Sequence, residues 1–220
     1  MLGAEPPGPR FGVRSPFPGE DLAERARLVR RLGFDGIELG PEYLDRGADG
    51  IRRAIGDLPV SAIVGSLKLL EPEAPARAAA VALDRDRLAL AKALGAGAVI
   101  EVPMFGACRF PDIAATPGPH RREDDLLVEG LVALAPDLAR TGVTLLLEPL
   151  TKRETHYMSL QGHGARIVER AGVAGVALLS DFYHMQMEEA DVAATLAAHG
   201  AHTAYVHLAD GAARTEPGSL

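Results

Sequence analysis

Short apolar runs in this sequence end repeatedly on side chains that bind metals or carry protons. Residues 143–147 close in Glu148-Pro149, residues 176–180 close in Asp181 with His184 three positions on, and residues 203–206 close in His207. In a parallel sheet, residues just past the carboxyl ends of neighbouring strands converge on one crevice. Two carboxylates and an imidazole meeting there suit a hard or borderline divalent cation. One strand-end carboxylate is as often merely solvated; three in the same placement share a simpler explanation, a common site. His184 faces the same crevice, as a ligand or a hydrogen-bond donor, if the chain turns into a loop after Asp181; otherwise it packs at a helix start between Tyr183 and Met185. Glu154 and Arg214 lie on the loops that follow, where they either grip substrate oxygens or are solvated. Glu38 and Glu101 also end strands, without an evident partner. His120, His156, His163, His199 and His202 show no comparable pattern and read as surface or packing residues.

Something must hold these strand ends together, and the rest of the chain supplies it. Amphipathic stretches rich in Ala, Leu, Arg and Glu alternate with Gly and a short apolar run. Residues 21–32, 51–58, 79–94, 124–140, 160–171 and 188–199 read as helices, with Leu22, Ala26, Val29 and Leu32 as one example of helical spacing. Residues 11–14, 35–39, 60–64, 98–102, 143–147, 176–180 and 203–206 read as strands. Runs apolar on both faces belong to a parallel sheet covered by helices. The expected fold is α/β, a (β/α)8 TIM barrel forming one domain over 1–220. An open doubly wound sheet is the rival, but no Gly-x-Gly-x-x-Gly turn follows the first strand. Seven strands are visible where a barrel needs eight, so the eighth strand and final helices are expected beyond the residues given. The proline-rich connection 105–122 reads as a lid or a surface loop.

The bulk properties narrow the function. A formal net charge of −7 lacks the basic stripe that nucleic-acid binding needs. The single cysteine, the absence of a signal-peptide core at the start and the lack of a membrane-length apolar run give the expectation of a cytoplasmic protein with no membrane partner.

At these residues the chain resembles the xylose isomerase-like barrel superfamily, specifically its sugar phosphate isomerase/epimerase group of ketose 3-epimerases and hydroxypyruvate isomerases. The resemblance rests on the segments 147–155, 180–185 and 207–218, and on the helix–Gly–strand rhythm of nearly the whole chain. It implies that Glu148, Asp181 and His207 are metal ligands and that Glu148 is also a proton carrier. By the same resemblance His184 and Arg214 sit near the substrate carbonyl, and Glu154 holds substrate near the reacting end. The group's fourth ligand, a glutamate on an eighth strand, has no counterpart here; Glu216 stands in a loop motif. Lys152 and Arg153 depart from the group's usual pair. The implied activity is removal of a proton α to a carbonyl through a cis-enediolate, on a small ketose or hydroxy-keto acid. One divalent ion (Mn2+, Mg2+ or Co2+, with Zn2+ admissible through the imidazole) would assist, and the resemblance carries the expectation of a homodimer or tetramer.

Two other readings differ in kind. Metal-dependent phosphodiester cleavage, as in endonuclease IV, needs histidines on earlier strands, whereas residues 64–66 and 101–103 supply none. A non-catalytic sugar-binding barrel would keep the crevice without a second proton carrier.

Overall fold

A computed structural model of the chain describes residues 10–14, 17–110, 121–211 and 214–218. Seven strands, β1 (Gly12–Val13), β2 (Gly36–Leu39), β3 (Val60–Val64), β4 (Ala98–Glu101), β5 (Thr144–Leu147), β6 (Val176–Asp181) and β7 (Thr203–His207), form one sheet in sequence order. Every neighbouring pair is parallel. Helices α1 (Leu22–Arg31), α2 (Pro41–Leu44), α3 (Gly47–Ile55), α4 (Ala74–Leu94), α5 (Arg121–Thr141), α6 (Gln161–Ala171), α7 (Phe182–Glu188) and α8 (Val192–His199) occupy the connections. This is the (β/α) barrel architecture of the TIM type. The sheet is curled: the Tyr205 hydroxyl on β7 donates to Ser61 Oγ on β3 at 2.9 Å, across the interior.

Alternation along each strand separates two cores. Ile37, Leu39, Ile63, Val99, Leu145, Leu147, Val176 and Leu178 face outward into the large cluster shared with the helices. Ala62, Ala98, Ile100, Leu146 and Leu179 form a smaller inner cluster, against which Ala177 and Tyr205 pack. Because successive side chains point to opposite faces, this parity dictates which strand-end residues look into the barrel.

Helix ends follow local chemistry. Asp21 caps α1 by accepting from the Glu24 amide, and Gly95 ends α4 at φ 65°, a left-handed position that favours glycine. The structure also corrects several expected boundaries. Helix α4 starts at Ala74, five residues before the expected 79, because Pro75 is well suited to a first turn. The helix expected over 51–58 is α3, which begins at Gly47. Helix α7 occupies the segment after Asp181 where a loop was one reading. Gly200, at φ −59°, follows α8 and opens a 3-10 turn, Gly200–His202. Residues 111–120 of the proline-rich connection, with Pro111, Pro117, Pro119 and His120, lie outside the described residues.

In α5, Leu131 is fully buried whereas its neighbour Val132 is 50 % exposed. Leu131→Ala is therefore expected to cost about 2–5 kcal/mol in urea denaturation, and Val132→Ala to stay within about 0.5 kcal/mol. Equal losses would contradict the helix orientation.

Candidate metal centre and active site

Parity turns Glu38, Glu148, Asp181 and His207 inward. Glu148 continues the face of Leu146, Asp181 that of Leu179, and His207 that of Tyr205, while Glu38 lies between outward-facing Ile37 and Leu39. Asp181 and His207 are register partners on adjacent strands, and the Glu148 amide donates to the Glu101 carbonyl at 3.0 Å, aligning the end of β5 with β4. The His207 ring is the hub. Its Nδ1 lies 3.2 Å from Glu148 Oε1 and 3.5 Å from Asp181 Oδ2, and its Nε2 lies 2.8 Å from Glu38 Oε2. Glu38 was not paired by the sequence reading; the alternation of Ile37 and Leu39 around it was the signal that would have placed it inside. Arg14 Nε stands 3.2 Å from the other Glu38 oxygen.

His184 sits in the first turn of α7 and is buried, so it is at once a packed helix-start residue and a neighbour of the centre. Its Nδ1 accepts from the Thr151 amide at 3.0 Å, which leaves the proton on Nε2, 3.7 Å from Asp181 Oδ2. One ligand atom from each of Glu148, Asp181 and His184 lies within 4.8 Å of the others. Arg214, at φ 54°, reaches back to Asp181 Oδ2 at 2.7 Å and lies over the Tyr183 ring. Glu154 Oε1 is 4.0 Å from His184 Nδ1. A pocket opens beside this cluster, lined among others by Arg14, Leu67, Glu148, Glu154, His184 and Arg214. Lys152 turns away to pair with Glu188 at 3.0 Å.

The electrostatics follow from this crowding. Burial alone would raise Asp181, but the hydrogen bond with His207 and the charges of His184 and Arg214 bring it down to about 2. Burial alone would lower His207, yet Asp181, Glu148 and Glu38 around its ring drive it up to about 11. Burial is the main cause that keeps His184 below the ordinary imidazole range, which favours a neutral ring able to donate from Nε2.

Glu101 also has partners, on the opposite face of its strand. It points outward from β4, fully buried, and meets the equally buried Asp84 of α4. Asp84 Oδ1 accepts from the Ser66 amide at 2.6 Å; Glu101 accepts from the Leu67 and Lys68 amides at 2.9 and 3.0 Å. Ser66 Oγ lies between the two carboxyl groups. Gly65 is required there, since a Cβ would fall 2.4 Å from Glu101 Oε2 and 2.8 Å from Asp84 Oδ1. The clamp holds Leu67 at φ 59°, with its side chain in the pocket wall. Burial raises Asp84 to about 6; burial and the neighbouring Asp84 push Glu101 up.

The family model described as "Xylose isomerase-like TIM barrel" matches residues 26–219. The 3-dehydro-D-guloside 4-epimerase of Escherichia coli is 28 % identical over 214 residues, covering 92 % of this chain and 79 % of the relative. The L-ribulose 3-epimerase of Mesorhizobium japonicum is 26 % identical over 198 residues, covering 86 % and 64 % respectively. Among solved structures, the apo 3-keto-D-glucoside 4-epimerase from E. coli superposes with a TM-score of 0.80 at 24 % identity, over 96 % of this chain and 81 % of that one.

Asp84 yields a pH prediction. Its folded-state value, about 6, lies above the ordinary aspartate value of 3.8, so between those values the folded protein holds a proton that the unfolded chain releases. Stability from this group is therefore present at low pH and is lost as pH rises through that window, with a steepest slope of about 1.4 kcal/mol per pH unit. Asp84→Asn supplies the hydrogen permanently. Urea titrations should show it flattening this slope and matching or exceeding wild-type stability at pH 8.

Proposed function

The chain belongs to the xylose isomerase-like TIM barrel family, and we propose that it is a divalent-metal-dependent isomerase/epimerase. Its substrate would be a sugar derivative bearing a ketone beside a hydroxyl-bearing carbon. The observation that carries this reading is the inward convergence of Glu148, Asp181 and His207 from three adjacent strand ends, with His184 and Arg214 beside them. Carboxylate oxygens and one imidazole nitrogen are a donor set that fits Mn2+, Mg2+ or Co2+, and Zn2+ less specifically. The named activities of the relatives, epimerisation of a 3-dehydro-guloside and of L-ribulose, both act on a carbon near a ketone.

In this mechanism Glu148, Asp181 and His207 would hold the ion, which would supply Lewis-acid polarisation of the substrate carbonyl. Glu148, which lines the pocket, removes the proton from the carbon next to the carbonyl. The neutral His184 Nε2–H and the Arg214 guanidinium donate to the oxygens on which charge accumulates, an interaction that strengthens toward the enediolate. Glu154, at the pocket wall, accepts from substrate hydroxyls and fixes which carbon faces Glu148. Leu67 and Phe105 add apolar surface to the pocket wall. Return of a proton to the same carbon from an acid other than Glu148 on the opposite face gives an epimer; return by Glu148 to the neighbouring carbon gives an isomer.

Two measurements test this reading. Protein treated with a chelator should lose solvent deuterium incorporation next to the ketone of ketose or keto-glycoside substrates, and Mn2+ should restore it. Glu148→Gln should abolish that exchange by at least about 10²-fold, the contribution typical of a general base; wild-type exchange in this variant would remove Glu148 from the role.

A further inference from the structure

A second set of metal-binding side chains meets outside the barrel crevice. Cys108, the chain's one cysteine, is exposed on the connection after β4. Glu123 lies in the first turn of α5, and His156 lies on the connection after β5. One ligand atom from each lies within 4.8 Å of the other two. The two connections are tied together by backbone: Gly106 and Thr155 form a parallel bridge, the Gly106 amide donates to the Glu154 carbonyl at 2.7 Å, and the His156 amide donates to the Gly106 carbonyl at 3.0 Å. Three stretches distant in sequence are thus brought together with three different donor types.

The orientation of the imidazole bears on what the cluster holds. Its Nδ1 lies 3.4 Å from the Gly106 carbonyl, and its Nε2 is in close contact with the fully buried carboxyl of Glu123. With its hydrogen on Nε2 the ring donates directly to Glu123; with the hydrogen on Nδ1, directed at the carbonyl, the Nε2 lone pair stands beside the carboxylate, where a cation can bridge the two. The Cys108 thiol donates to the Phe110 carbonyl at 3.8 Å, and a metal would take it up instead as a thiolate beside the imidazole and carboxylate. A ring with one nitrogen near a backbone carbonyl and the other against a carboxylate, in a cluster that includes a thiol, has the orientation of a ligating histidine.

We propose that Cys108, Glu123 and His156 form a second divalent-metal site, suited to a borderline-soft ion such as Zn2+. Thiolate and imidazole favour such an ion over Mg2+ or Mn2+. One thiolate, one carboxylate and one neutral imidazole balance its charge, and the exposed side leaves a fourth tetrahedral position for water. Binding displaces the thiol proton to solvent. Phe105 and Glu154, close in sequence to these ligands, line the crevice pocket, so an ion here fastens together the two connections at its mouth.

The test is a Co2+ titration of protein freed of metal by chelation. The crevice offers only oxygen and nitrogen donors, so a thiolate-to-cobalt charge-transfer band in the near ultraviolet reports Cys108 alone. This band is expected to saturate at one ion per chain and to bleach when Zn2+ is added. It should vanish in Cys108→Ser, weaken at least tenfold in apparent affinity in His156→Ala and Glu123→Gln, and persist in Asp181→Asn. Absence of the band, or a band indifferent to His156→Ala and Glu123→Gln, overturns the proposal. Circular dichroism of each variant separates loss of a ligand from loss of fold, and because no step uses turnover, the outcome is independent of the proposed epimerase activity.

Discussion

Glu38, Glu148 and Asp181 bring three carboxyl groups to one buried point, and whatever cancels their mutual repulsion governs the centre. Unpaired charge in a protein interior costs several kcal/mol, so this cluster persists only with positive charge placed against it. His207 at the hub, Arg214 on Asp181 and Arg14 on Glu38 provide it. The same geometry explains why the centre suits a divalent ion: it concentrates acceptor oxygens around a ring whose nitrogens face two sides. In the proposed mechanism the same carboxylate that Arg214 neutralises holds its guanidinium for a developing oxyanion.

Much of this was legible in the sequence because burial on both faces writes strands as apolar runs, and helices with Gly between them punctuate those runs. The parallel order of β1 to β7 follows from that rhythm, as does the placement of Glu148, Asp181 and His207 at strand ends. Glu38 and Glu101 were less legible because both close strands in the same way. Parity separates them. Glu38 alternates with outward Ile37 and Leu39 and faces the interior, whereas Glu101 alternates with inward Ile100 and faces the helices. Counting inward positions along each strand would have found Glu38, but nothing in the sequence pairs Glu101 with Asp84, seventeen residues away on a helix. Helix α7 is only seven residues long, too short to show a periodicity.

Backbone conformation ties the outer pair to the inner site. Among the described residues, Leu67 and Arg214 are the non-glycine positions with positive φ, a conformation costing about 1 kcal/mol or more for a side chain bearing Cβ. Both line the crevice pocket. Leu67 is held by Glu101 through its own amide and that of Lys68, and Arg214 is held through its guanidinium on Asp181. Each strained residue is therefore fixed by a buried carboxyl group, one from outside the barrel and one from inside.

Asp84 and Asp181 show that burial by itself does not determine what a carboxyl group does. Both are essentially inaccessible to solvent, yet one is pushed up to about 6 and the other brought down to about 2. Asp84 faces Glu101 and the Ser66 hydroxyl and amide, a set with too little positive charge for two ionised carboxylates, so the pair retains a proton and acts as a hydrogen-bonded clamp. Asp181 faces an imidazole and a guanidinium, and stays ionised. Environments that drive like groups apart assign them different work. Here the division follows the sheet: the helix-facing side holds a protonated pair that shapes the pocket wall, and the barrel-facing side holds the charged groups to which the proposed mechanism assigns the cation and the proton.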